Sequence, residues 1–393
     1  MRLFCLFVLA SLAEPVGVWQ IMALLPLYLR EMGVPEAEIP QWVGSRTTLV
    51  FLVALPFVPL WGAWADKYSR KLVIVRSALV EAVVLAGVAL SRGPWELGGS
   101  ILLMGLTLGN TGVMLAMLHE TAPAHRLGLA IAGIGAAGSL GAATGPALAG
   151  VLVDRFGFSL SQVFATSSGL MFAVTAVLAL SMPDLRPALV PAASSIRIAV
   201  SSIRGVVADG PTRGLFLLSG AAILASQMTS VYLPLVVQRV NGERELVSAI
   251  AAVMGTAALA GGLASPLLGA LGDRIGFRTV LAGGLAVVGV SLAAMPSATS
   301  VAVLVALATL NALCFAAVRS MVFALLAIEV SAERRGSTLN LVYLPLYLAG
   351  ILGPAASAIV VGLGLAVPYY VAGAVCAAGA ASVVMSRRAR AGR

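Results

Sequence analysis

Twelve apolar runs, each near the ~20 residues that carry a helix across a bilayer, leave this chain few folds. They fall at roughly 3–29, 43–64, 72–90, 97–119, 129–152, 161–182, 214–238, 247–268, 279–295, 301–327, 338–361 and 367–386. In lipid every backbone N–H and C=O must be satisfied within the protein, so only helices and closed barrels span. No ten-residue alternation of apolar and polar residues dominates, which argues against a barrel. With 60% apolar and 10% charged residues, a water-soluble globular domain is excluded. The expectation is an all-α membrane protein of 12 transmembrane helices. The first run follows Arg2 as a secretory leader would, but it stays apolar past Pro15 to Leu29 without a clean small-x-small cleavage site. It is therefore expected to be retained as the first helix.

The runs are organised as a duplication. Pro26 is answered by Pro234, Arg126 by Arg334, Gly128 by Gly336 and Gly145-Pro146 by Gly353-Pro354, all 208 positions apart. Asp66 is answered by Asp273, at 207. Repeated six-span units are a common way to build transporters, with substrate bound near the midplane where the repeats meet. The expected organisation is two pseudo-symmetric six-helix bundles, 1–182 and 214–393. The Pro-rich segment 183–213 links them, and in it Ile196, Val200, Ile203 and Val207 share one face of a possible interfacial helix.

The net charge of +9 does not imply a nucleic-acid partner. The alternate loops containing Arg30, Arg92, Arg155, Arg239 and Arg244 hold few cations, whereas Lys67, Arg70, Lys71, Arg126, Arg274, Arg278, Arg334, Arg335 and the C-terminal arginines cluster in the others. This is the positive-inside bias that sets orientation. It places both termini in the cytoplasm, and a bacterial-type inner membrane is the expected location. Cys5, Cys314 and Cys376 lie within apolar segments without disulfide or metal spacing.

Two loops carry a recognisable pattern. "GAWADKYSRK" (Gly62–Lys71) follows the second span and "GALGDRIGFR" (Gly269–Arg278) follows the eighth. Both resemble the G-x-L-a-D-r-x-G-r-k loop signature of the major facilitator superfamily, through Gly62, Asp66, Arg70 and Lys71 in one copy and Gly269, Asp273, Arg274, Gly276 and Arg278 in the other. Trp64 replaces the usual Leu, and Ser69 stands where Gly is expected. The resemblance implies a gating latch, and Glu120, at the end of the fourth span, is the expected partner of Arg70. "GVLVDRFGF" (Gly150–Phe158) fits the same pattern on the opposite face, so a single copy is weak evidence. In the fifth span Gly141, Gly145, Pro146 and Gly150 resemble the antiporter signature G-x8-G-x3-G-P-x2-G-G of 12-span drug:proton antiporters. Small residues on one face permit close helix crossing.

Polar residues within spans are costly and therefore candidates for function. Glu14 lies about 18 Å along the first span, at ~1.5 Å per residue. In this fold that helix lines the cavity, where a carboxylate could exchange protons or attract a cationic substrate. Glu81 in the third span is second, with a buried pair to Arg76 as the alternative. Arg46 and Arg319 could be counter-ions. Gln20, Asn110, Gln227, Tyr232, Asn311, Asn340, Tyr343 and Tyr347 are expected as cavity linings or interhelical hydrogen-bonding groups. The fourth-span arginine that related antiporters often carry is missing, since Leu108 occupies its place, so coupling would rest on Glu14 or be absent.

Enzyme chemistry finds little material. His119 and His125 are the only histidines, "AGSLG" (Ala137–Gly141) lies within a span without a strand before it, and no nucleotide-binding glycine pattern occurs. Neither cofactor nor metal is expected. The expected function is proton-coupled efflux of small hydrophobic or cationic compounds by alternating access, as a monomer whose partners are substrate, protons and the bilayer. The alternatives are a lipid or lysophospholipid transporter, a sugar efflux transporter and a non-transporting receptor or scaffold.

Overall fold

The computed structural model describes residues 2–121, 123–184, 209–329 and 344–391. The described residues are helical throughout, without strands. Those before the long linker form α1 (Arg2–Glu31), α2 (Ile39–Lys67), α3 (Arg70–Leu90), α4 (Pro94–Leu102), α5 (Asn110–Thr121), α6 (Ala124–Gly150) and α7 (Leu160–Ser181). After it come α8 (Gly210–Ser230), α9 (Leu233–Asn241), α10 (Leu246–Ile275), α11 (Phe277–Ala294), α12 (Val301–Glu329), α13 (Leu344–Val360) and α14 (Val367–Ala391). Among the described residues eleven helical segments are long and apolar enough to cross a membrane, or twelve if α8 and α9 make one span bent by 43°. Large apolar side chains such as Leu180, Ile359 and Leu90 are 85%, 80% and 77% exposed. Exposure on that scale suits a surface solvated by acyl chains rather than water. The interfacial helix expected at 196–207 lies outside the described residues.

Helix packing groups the chain into two units. One comprises Met1–Ile39, Leu49–Ser195 and Glu245–Gly255; the other comprises Pro40–Thr48, Ile196–Arg244 and Thr256–Arg393. In the first unit α1 lies along α6 at very close range. A Cβ added at Gly141 would land on the Leu12 carbonyl and one at Gly145 on the Val16 carbonyl. In the second unit a Cβ at Gly353 would lie 2.9 Å from Gln227 Cβ and 3.1 Å from the Leu224 oxygen of α8. The duplicated Gly-Pro pairs thus mark the same contact in each unit, between the first and fifth spans of the repeat. Close approach of small residues is how helices associate in lipid, where apolar burial against a neighbour gains little over burial against acyl chains.

Helix ends follow local chemistry. Ser69 is extended (φ −161°); its hydroxyl accepts from Leu72 N–H at 3.1 Å and donates to Asp184 Oδ1 at 2.6 Å. The departure from glycine in the first loop is therefore accommodated by a side-chain N-cap. In the second loop Gly276 holds φ +91°, which a residue with a Cβ adopts at a cost. Ser159 and Gln162 form a reciprocal capping box that starts α7.

Two spans expected to be continuous are broken. The seventh bends between Ser230 and Leu233, just ahead of Pro234, which cannot donate to the helical ladder. The fourth divides into α4, a 3-10 turn at Leu103–Leu106 and α5, with Gly109 at φ +103°. Gly105 also lies so close to α2 that an added Cβ would meet the Val50 carbonyl. Such a break is tolerated at membrane depth only where other groups take up the released carbonyls.

Candidate functional site

The break in the fourth span builds the site. Leaving the helical ladder exposes the carbonyls of Leu106 and Thr107, and α3 supplies their donors: Arg76 Nη1 gives to Leu106 O at 2.5 Å and Ser77 Oγ to Thr107 O at 2.6 Å. The Arg76 guanidinium also lies 3.7 Å from the centre of the Trp61 ring in α2, a cation–π contact that holds it in place. Immediately after the break, Asn110 Nδ2 faces α1 and donates to both Glu14 oxygens, 2.6 Å from each. Arg76 acts on the same carboxylate through its charge.

Glu14 is partly accessible, whereas Asn110 is buried. The arrangement is an acid with a rigid polar backing. Leu12 and Val16, the residues against which Gly141 and Gly145 pack, flank it two positions away on either side. The antiporter-like glycines therefore fix the helix that carries the acid. Pro146 lies beside Gly145 within α6, and Gln20 Nε2 donates to the Gly145 carbonyl at 3.3 Å. Gly150 lies against Ser248, with an added Cβ 3.0 Å from its Cα.

Glu81 is fully buried, and neither of its oxygens has a hydrogen-bond partner. The alternative of a pair with Arg76 is not formed, because that guanidinium is committed to Leu106 and Trp61. Arg70 and Glu120 are brought together in a two-pronged pair at 2.5 and 2.8 Å, with Arg70 5% and Glu120 51% exposed. Lys71 follows in the first turn of α3. Asp66 and Gly62 lie in α2 and Gly269 in α10, at positions whose side-chain surroundings lie outside the description. Asp273 and Arg274 are exposed at the end of α10, and Arg278 lies in the first turn of α11.

The remaining candidates are dispersed. Tyr232 is fully buried, accepting from Ser357 Oγ at 3.3 Å. Asn311 donates to Ser291 Oγ at 3.0 Å and ties α12 to α11. Both are interhelical groups rather than exposed linings. Gln227 backs the Gly353 crossing, Arg46 lies 4.5 Å from the Trp42 ring centre, Arg319 is exposed on α12 and Tyr347 is half-buried on α13. Asn340 and Tyr343 lie outside the described residues. Sequence reasoning did not single out Ser77, Trp61 or Gly17 and gave Arg76 only as a partner. The glycines at 105, 109 and 112 in one span were the available signal.

The chain matches the Major Facilitator Superfamily profile over residues 3–251 and again over 215–392. It belongs to the Major Facilitator Superfamily. That family is one of membrane transporters rather than enzymes, and the candidate spans fit a multi-pass member of it. It is 29% identical over 270 residues to the multidrug resistance protein MdtG of Salmonella paratyphi A, covering 66% of this chain and 64% of that protein. The MdtG of Citrobacter koseri is 29% identical over 266 residues with the same coverage. The match thus spans just under two thirds of these relatives. Among solved structures, the nucleoside transporter NupG superposes with a TM-score of 0.78 at 16% identity over 99% of both chains. The human organic anion transporter MFSD10 superposes at 0.68 and 18% identity, covering 97% of this chain and 99% of that one. These likenesses show the fold.

Proposed function

We propose that this transporter exports small hydrophobic or cationic compounds in exchange for protons, by alternating access. The observation that carries the reading is Glu14, an acid midway along the first span whose two carboxylate oxygens are both held by Asn110. A proton and a cationic substrate compete for one such carboxylate, so binding of one lowers the affinity for the other. That mutual exclusion is a coupling free energy between the two ligands. The multidrug-resistance relatives support substrates of this chemistry. The Arg70–Glu120 pair serves as a latch that forms in one access state and parts in the other. The distribution of its cations supports both termini lying in the cytoplasm, the bacterial relatives support an inner membrane, and it works as a monomer.

The test is transport in proteoliposomes with an imposed pH gradient. Accumulation of an ethidium-like cation should follow the gradient in the wild type, and Glu14→Gln should lose that dependence. PH-driven accumulation that survives in Glu14→Gln would remove Glu14 from the mechanism.

A further inference from the structure

Glu81 has no part in the mechanism above, yet its setting is that of a binding group. It lies on α3, one turn beyond Ser77, and it is completely buried. Its carboxyl rests against α1 at Gly17, one turn beyond Glu14. A Cβ added at Gly17 would collide with Oε1 and come within 2.9 Å of Leu85 Cδ1. The absence of a side chain at Gly17 is what makes room for the acid. Neither oxygen has a partner at hydrogen-bonding geometry; the Val18 N–H of α1 lies on the favourable side, while the Glu14 carboxyl opposes a charge on Glu81.

The charged and titratable side chains around it offer no compensation for a negative charge. Among the described residues α1 presents Glu14, an acid. The facing helix α7 contains no titratable residue. In α4, Glu96 is engaged by the Arg92 N–H at 2.8 Å, and in α5, Glu120 is engaged by Arg70, with His119 beside it at that end. On α3 itself, Arg76 is turned to Leu106 and Trp61. An ionised carboxylate removed from water without a partner is among the costliest groups a protein can bury. A bound proton removes that cost.

We propose that Glu81 is a second proton-binding site of the transport cycle, lying behind Glu14 and reached through it. The proposal rests on the proton-coupled reading of Glu14 and deepens it: Glu14 faces the substrate path and exchanges its proton for the cation, while Glu81 carries a further proton that no substrate displaces. The step is proton binding alone. An O–H bond forms on Glu81 as one breaks on the Glu14 carboxyl, which is reprotonated by a hydronium ion from one side, and the reverse occurs on release through Glu14 to water on the other. No electrons are exchanged.

Two measurements test it together. The first is the proton-to-substrate ratio, from the gradient at which net flux of an ethidium-like cation in proteoliposomes reverses. Glu81→Gln should lower the ratio by one proton, and Glu81→Asp should restore it. The second is infrared spectroscopy of the purified protein at neutral pH, where Glu81→Gln should remove a protonated-carboxyl C=O band. Gly17→Ala, which drives a methyl into the same carboxyl, should shift that band, and it serves if Glu81→Gln fails to fold. A band that survives in Glu81→Gln and is unmoved in Gly17→Ala overturns the proposal. So does an unchanged ratio in a Glu81→Gln protein whose transport remains coupled. A failure of the Glu14 reading looks different: wild type and Glu14→Gln would then respond alike to the pH gradient, and the second proton would fall with it.

Discussion

Replacing Gly141 by alanine isolates the crossing that holds Glu14 in place. The new Cβ would lie on the Leu12 carbonyl, 2.9 Å from its carbon and 3.3 Å from Leu12 Cα. Carbon atoms rest at about 3.5–4.0 Å, so relieving the carbon contact alone parts α1 and α6 by at least roughly 0.6–1.1 Å, and the closer carbonyl oxygen demands more. The obstacle is backbone, and no rotamer change can relieve it. A shift of that size is comparable to the slack in the Glu14–Asn110 hydrogen bonds. These measure 2.6 Å, and an added ~1 Å takes them past the usual limit of about 3.2 Å. Overpacking of this kind costs about 1–3 kcal/mol, a shift of roughly 5- to 150-fold in the equilibrium it opposes. The same helix supplies its control, because nothing lies within 4 Å of a Cβ added at Gly135. There the substitution removes only the helix-breaking tendency of glycine and should be neutral or stabilising by about 0.5–1 kcal/mol. Thermal unfolding in detergent and pH-driven cation transport should both separate the two variants, with Gly141→Ala impaired and Gly135→Ala not. Equal behaviour would refute the claim that this crossing positions Glu14.

Other perturbations have expected outcomes of their own. Arg76→Ala strands the Leu106 carbonyl and empties the face of Trp61; summing a charge-assisted hydrogen bond and a cation–π contact, it should cost about 2–4 kcal/mol in thermal or denaturant unfolding. A double-mutant cycle of Arg70→Gln and Glu120→Gln should give a coupling of about 1–2 kcal/mol, above that of an open surface pair, because Arg70 is buried. Asp154→Ala removes an acceptor that Ser248 N–H reaches at 2.7 Å in the first turn of α10, and it should cost about 1 kcal/mol, as loss of a helix cap does. Gly276→Ala must hold φ +91° with a Cβ and should lower stability by about 1–3 kcal/mol.

The Gly-Pro pairs were legible because small residues at a fixed repeat spacing have one dominant use in a membrane, the close crossing of helices. Arg70 and Glu120 could be matched because a cation and an acid at neighbouring helix ends attract over several ångströms and tolerate errors of a residue. The fourth span was not legible in this way. Hydropathy averages over about twenty residues, and Leu103–Leu106 is as apolar in a 3-10 turn as in an α-helix. Its signature is instead the glycine at 109 and the donors waiting on another helix at Arg76 and Ser77. The vacancy beside Glu81 was equally hidden, since it depends on which face of α1 carries Gly17. Asp154, whose loop copies the latch pattern on the opposite face, shows the limit from the other side. The residues repeat, while its partner is the first turn of α10.

The central claim is that one carboxylate, Glu14, holds either a proton or the cation. The most direct measurement is proton release on substrate binding, read by a pH indicator in weakly buffered detergent solution as an ethidium-like cation is added to the purified protein. The wild type should release protons in proportion to bound cation, saturating with it, and Glu14→Gln should bind with no release. Equal release from the two proteins, or cation binding to the wild type with no release at any pH, would contradict the account.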